Sequence, residues 1–321
     1  MSVGSSRDLD EELRQAGGAM FGWGGVRRLA FRLAPLGAVL LLSGCDLGVL
    51  APRGPIGEAN KTILLDSVAI MLAIVIPTIL ATLAAAWWYR SSNARATYLP
   101  DFEYSGALEL IVWAIPLLTI MLLGGVAWIG AHDLDPAVPI ESKEEPLNIQ
   151  VVSLDWKWLF IYPDEHVASV NRLVIPAGVP IHFRLTSGSV MTAFFVPQLG
   201  SMIYTMNRMG TQLHLLADDP GTFRGLATQL SGDGFADMHF EVVAKTAQDF
   251  YEWLGQVRGG GEDLTSARYI ELSKQSVLPE PITFKTVEDG LFDKILDQTL
   301  PPGPGPIAET NPGAAARMMR K

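Results

Sequence analysis

Val151-Val-Ser-Leu-Asp-Trp-Lys-Trp-Leu-Phe-Ile-Tyr162 decides the fold class of this chain. It opens and closes on β-branched and aromatic residues, which suit a pleated and partly buried surface. It reads as the end of one strand, 147–153, and the whole of a second, 158–162. Further β-rich runs follow at 172–175, 180–186 and 212–217, separated by Gly, Pro, Asp and Asn. Short strands at this spacing predict a sandwich or barrel of roughly 100 residues, over 147–246.

C-terminal to that domain, residues 247–258 place Phe250, Trp253, Leu254 and Val257 at helical spacing, and Gly259-Gly260-Gly261 ends the pattern. Residues 264–300 hold short helix-like stretches, including Leu291-Phe292 with Ile295-Leu296, so 247–300 is expected to be a helical, aromatic-containing segment. The Pro/Gly-rich end, 301–321, is expected to be disordered.

N-terminal to the domain the character changes. No charge lies between Asp66 and Arg90, and none between Glu109 and His132. Each run is long enough to cross roughly 30 Å of hydrocarbon as a helix. Transmembrane helices are expected at 63–90 and 109–131, joined by a cytoplasmic loop, 91–108. Trp87, Trp88, Tyr89 and Trp128 stand where interfacial aromatic anchors belong. A linker, 132–146, leads to the β-domain. The α+β membrane architecture is thus a two-helix hairpin, then a β-domain, then a short helical tail.

The start of the chain carries a second membrane signal. Arg27, Arg28 and Arg32 precede an apolar stretch, 33–42, and Leu42-Ser43-Gly44-Cys45 follows, which resembles a bacterial lipobox. Cys45 is the expected lipidation site, 1–44 the extension plus signal, and 45–62 an extracytoplasmic linker. Residues 1–19 carry Asp8, Asp10, Glu11 and Glu12, unusual for a signal, so translation is expected to start at Met20. An anchor outside and two crossings return the β-domain to the periplasmic side of the inner membrane.

Composition narrows the function. The 321 residues are 49 % hydrophobic, with net charge −10, mean hydropathy +0.24 and a pI near 5.0. No basic stripe is available to neutralise phosphates, so nucleic acid is not a partner. Cys45 is the only thiol, which excludes intrachain disulfides and CxxC metal sites. His132, His166, His182, His214 and His239 show no close pair with metal-ligand spacing. No Walker loop, nucleophile elbow or GxGxxG fingerprint is present. Glu109 opens the second apolar run. A carboxylate there can collect protons from water, or it can simply complement the helix macrodipole.

Glu109, Trp113 and Pro116, together with the quoted stretch and Phe194-Phe-Val-Pro197-Gln-Leu-Gly200, resemble subunit II of the haem-copper terminal oxidases. Within them the chain most resembles subunit II of the cytochrome bo-type ubiquinol oxidases, over about residues 45–258. The resemblance implies a cupredoxin-like Greek-key barrel or sandwich. It also implies a partner subunit 1 carrying haems and a copper ion, smaller membrane subunits, membrane lipid around the helices, and ubiquinol as the complex's substrate. Members that oxidise cytochrome c hold dinuclear copper in a loop of the form Cys-x-Glu-x-Cys-Gly-x-x-His-x-x-Met, plus an upstream histidine. The corresponding loop here is Ala227-Thr-Gln229-Leu-Ser231-Gly232-Asp-Gly-Phe235-Ala-Asp-Met238, and the upstream position is Thr192. Soft thiolates are indispensable to that centre.

Thr192, Ala227, Gln229, Ser231, Phe235 and Met238 are therefore degenerate copper positions, and this chain is expected to hold no metal, cofactor or catalytic residue. Cytochrome c is not an expected partner. Trp156 and Trp158, which border the copper site in those relatives, need only pack. For Glu109 the resemblance implies the entrance of a proton channel into subunit 1. Two other readings stay open on sequence: a cytochrome c oxidase subunit with aberrant copper ligands, and a non-enzymatic envelope lipoprotein that binds a partner.

Overall fold

The computed structural model describes residues 48–97 and 99–305. Helix α1, Pro55–Trp88, and helix α2, Gly106–Asp133, are apolar on all sides and expose those side chains, as membrane-spanning helices do. At about 1.5 Å per residue both exceed the hydrocarbon thickness. They meet where Gly130 faces Ile63; a Cβ on Gly130 would lie 2.7 Å from Ile63 Cδ1. α1 starts upstream of the span expected from residue 63. Pro55 presets the first turn, and the early turns dock on the β-domain. There the Arg53 amide donates to Gln198 O at 2.7 Å, the Gly57 amide to Leu199 O at 3.1 Å, and Asn60 Nδ2 to Ser201 Oγ at 3.1 Å.

The β-domain is two sheets. Its strands are β1 (Leu147–Leu154), β2 (Lys157–Tyr162), β3 (Val167–Val170), β4 (Arg172–Pro176), β5 (Ile181–Ser187) and β6 (Thr192–Phe195). They continue as β7 (Ile203–Thr205), β8 (Thr211–Leu215), β9 (Gly221–Ala227) and β10 (His239–Lys245), with a 3-10 turn at Phe235–Asp237. After helix α3, Ala247–Arg258, come β11 (Glu262–Leu264), α4 (Ser266–Leu272), β12 (Ile282–Val287) and α5 (Leu291–Leu296). One sheet runs β11-β12-β3-β2-β1-β5-β8 and the other β4-β10-β9-β6-β7.

The core between the sheets holds Val151, Trp158, Phe160, Tyr162, Phe183, Phe194 and Phe240, with Phe250, Leu254 and Val257 of α3 closing one side. The larger sheet is also covered on its outer face. Val152, Leu154, Leu159 and Ile161 bury there against Leu264, Tyr269, Leu272, Phe284, Leu291, Phe292 and Ile295. Every residue of β2 is consequently buried, which explains why 158–162 is continuously apolar instead of alternating.

Residues 247–300, expected to be helical and aromatic-containing, hold α3, α4 and α5, and also contribute β11 and β12 to the larger sheet. Ile282-Thr-Phe-Lys-Thr-Val287 is rich in β-branched residues and finds an open edge on β3, pairing Phe284 with Ala168.

Candidate functional site

The β1–β2 hairpin and the loop after β9 build the site. Trp156 sits at the hairpin tip with φ +67°, a conformation a bulky residue adopts only where its surroundings impose it. What imposes it is the loop. A Cβ on Gly234 would lie 2.3 Å from the Trp156 ring, and Trp156 Nε1 donates to Ser231 O at 3.2 Å. Gly232 takes φ +110°, a left-handed turn that glycine accepts freely. Trp158 points inward, its ring centroid 5.4 Å from Phe194 and 5.5 Å from Phe240. Both tryptophans pack, as expected.

The loop positions converge, but their chemistry is wrong for copper. Thr192 is buried on β6 and its hydroxyl donates to Gln229 O at 3.3 Å. Ala227 ends β9, its amide bonded to Met238 O at 3.1 Å. Ser231 Oγ lies 3.7 Å from Met238 Sδ, and both residues are buried. Phe235 packs on the core from the 3-10 turn. The donors present are hydroxyls, carbonyls and one thioether. No thiolate or imidazole replaces the lost ligands, so the residues do not fit a dinuclear copper centre. Among the described residues no group of three or more His, Cys, Asp or Glu side chains converges.

A ubiquinol oxidase subunit 2 from Acetobacter aceti is 47 % identical over 267 residues, covering 83 % of this chain and 87 % of its own length. A cytochrome bo(3) ubiquinol oxidase subunit 2 from Pseudomonas aeruginosa is 43 % identical over 267 residues, covering 83 % and 81 %. The chain belongs to the ubiquinol oxidase subunit 2 family. Among solved structures, the periplasmic domain of subunit II of cytochrome oxidase from Bradyrhizobium japonicum aligns with a TM-score of 0.34 and 22 % identity over 37 % of this chain and 96 % of that one. No family model matches the chain.

Glu109 lies far in sequence from the loop, in the exposed first turn of α2, with its amide donating to Ser105 O at 3.0 Å. Cys45 and the lipobox lie outside the described residues, as do Met20 and residues 306–321.

The histidine expectation is corrected in one respect. His182 and His214 face each other across β5 and β8 and stack at 4.7 Å, because pairing joins residues that spacing keeps apart. Burial lowers the His182 pKa, and its neighbour His214 lowers it further. His214 Nδ1 bonds Pro136 O at 3.1 Å, tying the linker after α2 to the sheet.

Sequence reasoning missed a buried polar group beside the loop. Asp155 and Lys157 flank Trp156 and are 1 % and 0 % exposed. Lys157 Nζ donates to Lys274 O at 2.7 Å, Ser276 O at 3.0 Å and Ser276 Oγ at 2.7 Å. Burial pulls its pKa down to about 8, against the opposing pull of Asp155. The available signal was charge inside an apolar hairpin, since buried lysine requires partners.

Proposed function

We propose that this chain is the structural, non-redox subunit 2 of a proton-translocating terminal ubiquinol oxidase in the bacterial inner membrane. The observation that carries this reading is the loop at 227–238. There Ala227, Ser231 and Phe235, with Thr192 packed against the same loop, offer no soft donor. A subunit without such donors cannot pass electrons from cytochrome c, and a quinol oxidised within subunit 1 needs no such entry point. Subunit 1 would carry the haems and copper ion and reduce oxygen to water. α1 and α2 would brace it within the lipid, alongside smaller membrane subunits, and the β-domain would cap it on the periplasmic side, with Cys45 lipidated. The names of the Acetobacter and Pseudomonas relatives support the quinol over other donors.

Gentle solubilisation of the tagged full chain tests the proposal. A haem-containing, many-helix subunit is expected to copurify, and the complex is expected to oxidise ubiquinol but not reduced cytochrome c. Oxidation of cytochrome c, or recovery of the chain without any haem protein, overturns it.

A further inference from the structure

Two histidines meet where the linker after α2 crosses the edge of the larger sheet. β8 is that edge strand, and its pairing with β5 sets His214 opposite His182. Their rings stack with centroids 4.7 Å apart and planes 12° from parallel. Pro136, shortly beyond the end of α2, is held there twice. Its carbonyl accepts from the His214 amide and from His214 Nδ1, each at 3.1 Å.

The acceptors fix the tautomers. A carbonyl only accepts, so His214 carries its proton on Nδ1. Asn148 Nδ2 donates to Asp164 Oδ2 at 3.1 Å, which leaves its Oδ1 to accept from His182 Nδ1, also at 3.1 Å. Any further proton therefore goes to Nε2 of one ring or the other. His182 is equipped for it: the ring is half-buried, borders a surface cavity of about 190 Å³, and makes a hydrogen bond with Gln212 of β8 that favours its charged form. His214 is not. It is 7 % exposed, and among the described residues only Pro136 O hydrogen-bonds its ring.

Charge on the pair is resisted from several sides. Burial lowers the His182 pKa most, the stacked His214 lowers it next, and Arg184 on β5 adds to both. The neighbouring carboxylates are engaged elsewhere. Asp164 holds Asn148, Asp293 pairs with Arg184 at 3.4 Å, and Asp135 of the linker accepts from the Ala137 amide at 2.9 Å.

We propose that the His182–His214 stack is an acid-sensitive clasp on the linker after α2: when both rings are charged, His214 swings out to water and gives up Pro136. Two stacked imidazolium rings repel, and a partly buried site screens them poorly. His182 keeps acceptors for its charged form, so the ring that moves is His214. Separated rings bind one more proton than stacked ones. The contact is therefore stable above the ordinary imidazole range, near 6.5, and is lost as pH falls below it. On the topology proposed above, the clasp reads the pH of the side that receives translocated protons.

Hydrogen exchange of the solubilised full chain, with rates at each pH referred to those of the unfolded chain, tests the clasp. Protection of residues 211–215 is expected to fall about tenfold between pH 7.5 and pH 5.5, the effect of one extra proton on opening. Protection that holds across this range overturns the proposal. His182→Phe keeps a stacked ring without a second charge, and most of the fall is expected to disappear. His214→Gln still offers Pro136 O a donor but cannot titrate, and it is expected to remove the fall altogether. A fall as steep as that of the unaltered chain in either variant also overturns the proposal. The exchange reports the clasp whether or not a haem subunit copurifies, so this proposal and the oxidase reading fail separately.

Discussion

At the scale of one residue, Glu109 separates two physical roles that share one position. A carboxylate in the first turn of a helix complements the macrodipole, worth about 0.3–1 kcal/mol at an exposed site. Among the described residues no side chain hydrogen-bonds it, and Trp113 stands exposed one turn further on. A carboxylate so placed is also free to take protons from water and release them inward. The two roles differ in what removal does. Glu109→Ala is expected to slow turnover of the assembled oxidase by roughly tenfold, about 1.4 kcal/mol on the barrier, at unchanged haem content. Glu109→Asp is expected to recover most of it. Quinol-dependent oxygen uptake per haem, measured across pH, checks this. Unchanged turnover with a slightly less stable chain would leave only the dipole role.

At the scale of elements, Glu288 joins three of them. It follows β12, accepts from the amide and hydroxyl of Ser266 at the start of α4, and receives Lys294 Nζ from α5. The Lys294 and Ser266 hydrogen bonds hold its carboxyl down at about 2. A folded-state pKa below the unfolded one gives stability that is present above the ordinary carboxylate range and lost as pH falls towards 2. Glu288→Gln is therefore expected to melt a few degrees lower at pH 7. The gap to the unaltered chain should close between about pH 4.5 and pH 2, as followed by tryptophan fluorescence. A gap that persists at pH 2 would mean that packing, not charge, is lost. Elements of this kind were the least legible in sequence. α1, α2, β1 and β2 announced themselves by length and apolarity. β9 did not, because Gly225 reads as a breaker. In the fold it is a packing seat, where any Cβ would strike the Phe240 ring at 2.1 Å. β12 was hidden by its partner, since β3 lies more than a hundred residues earlier. The loop at 227–238 was legible because its residues are contiguous. The buried partners of Lys157 were not, because Lys274 and Ser276 lie more than a hundred residues further on.

At the scale of the whole molecule, the C-terminal extension decides whether the β-domain can exist as a two-sided sheet. Residues 259–305 supply Leu264, Tyr269, Leu272, Phe284, Leu291, Phe292 and Ile295, all buried against the outer face of β1, β2 and β3. Burying one such side chain stabilises by about 1.5–3 kcal/mol, whereas an entire domain is stable by only about 5–15 kcal/mol. Removing the extension also takes β11 and β12 away, so β3 becomes an open edge beside exposed Val152, Leu159 and Ile161. A chain ending at Arg258 keeps α3 and the core between the sheets. It is nonetheless expected to insert α1 and α2 in the membrane yet fail to fold its β-domain stably, and so to aggregate on solubilisation. Size-exclusion chromatography and protease resistance of the β-domain measure this. A monodisperse, protease-resistant product would show that the inner core suffices and that the extension serves a partner instead.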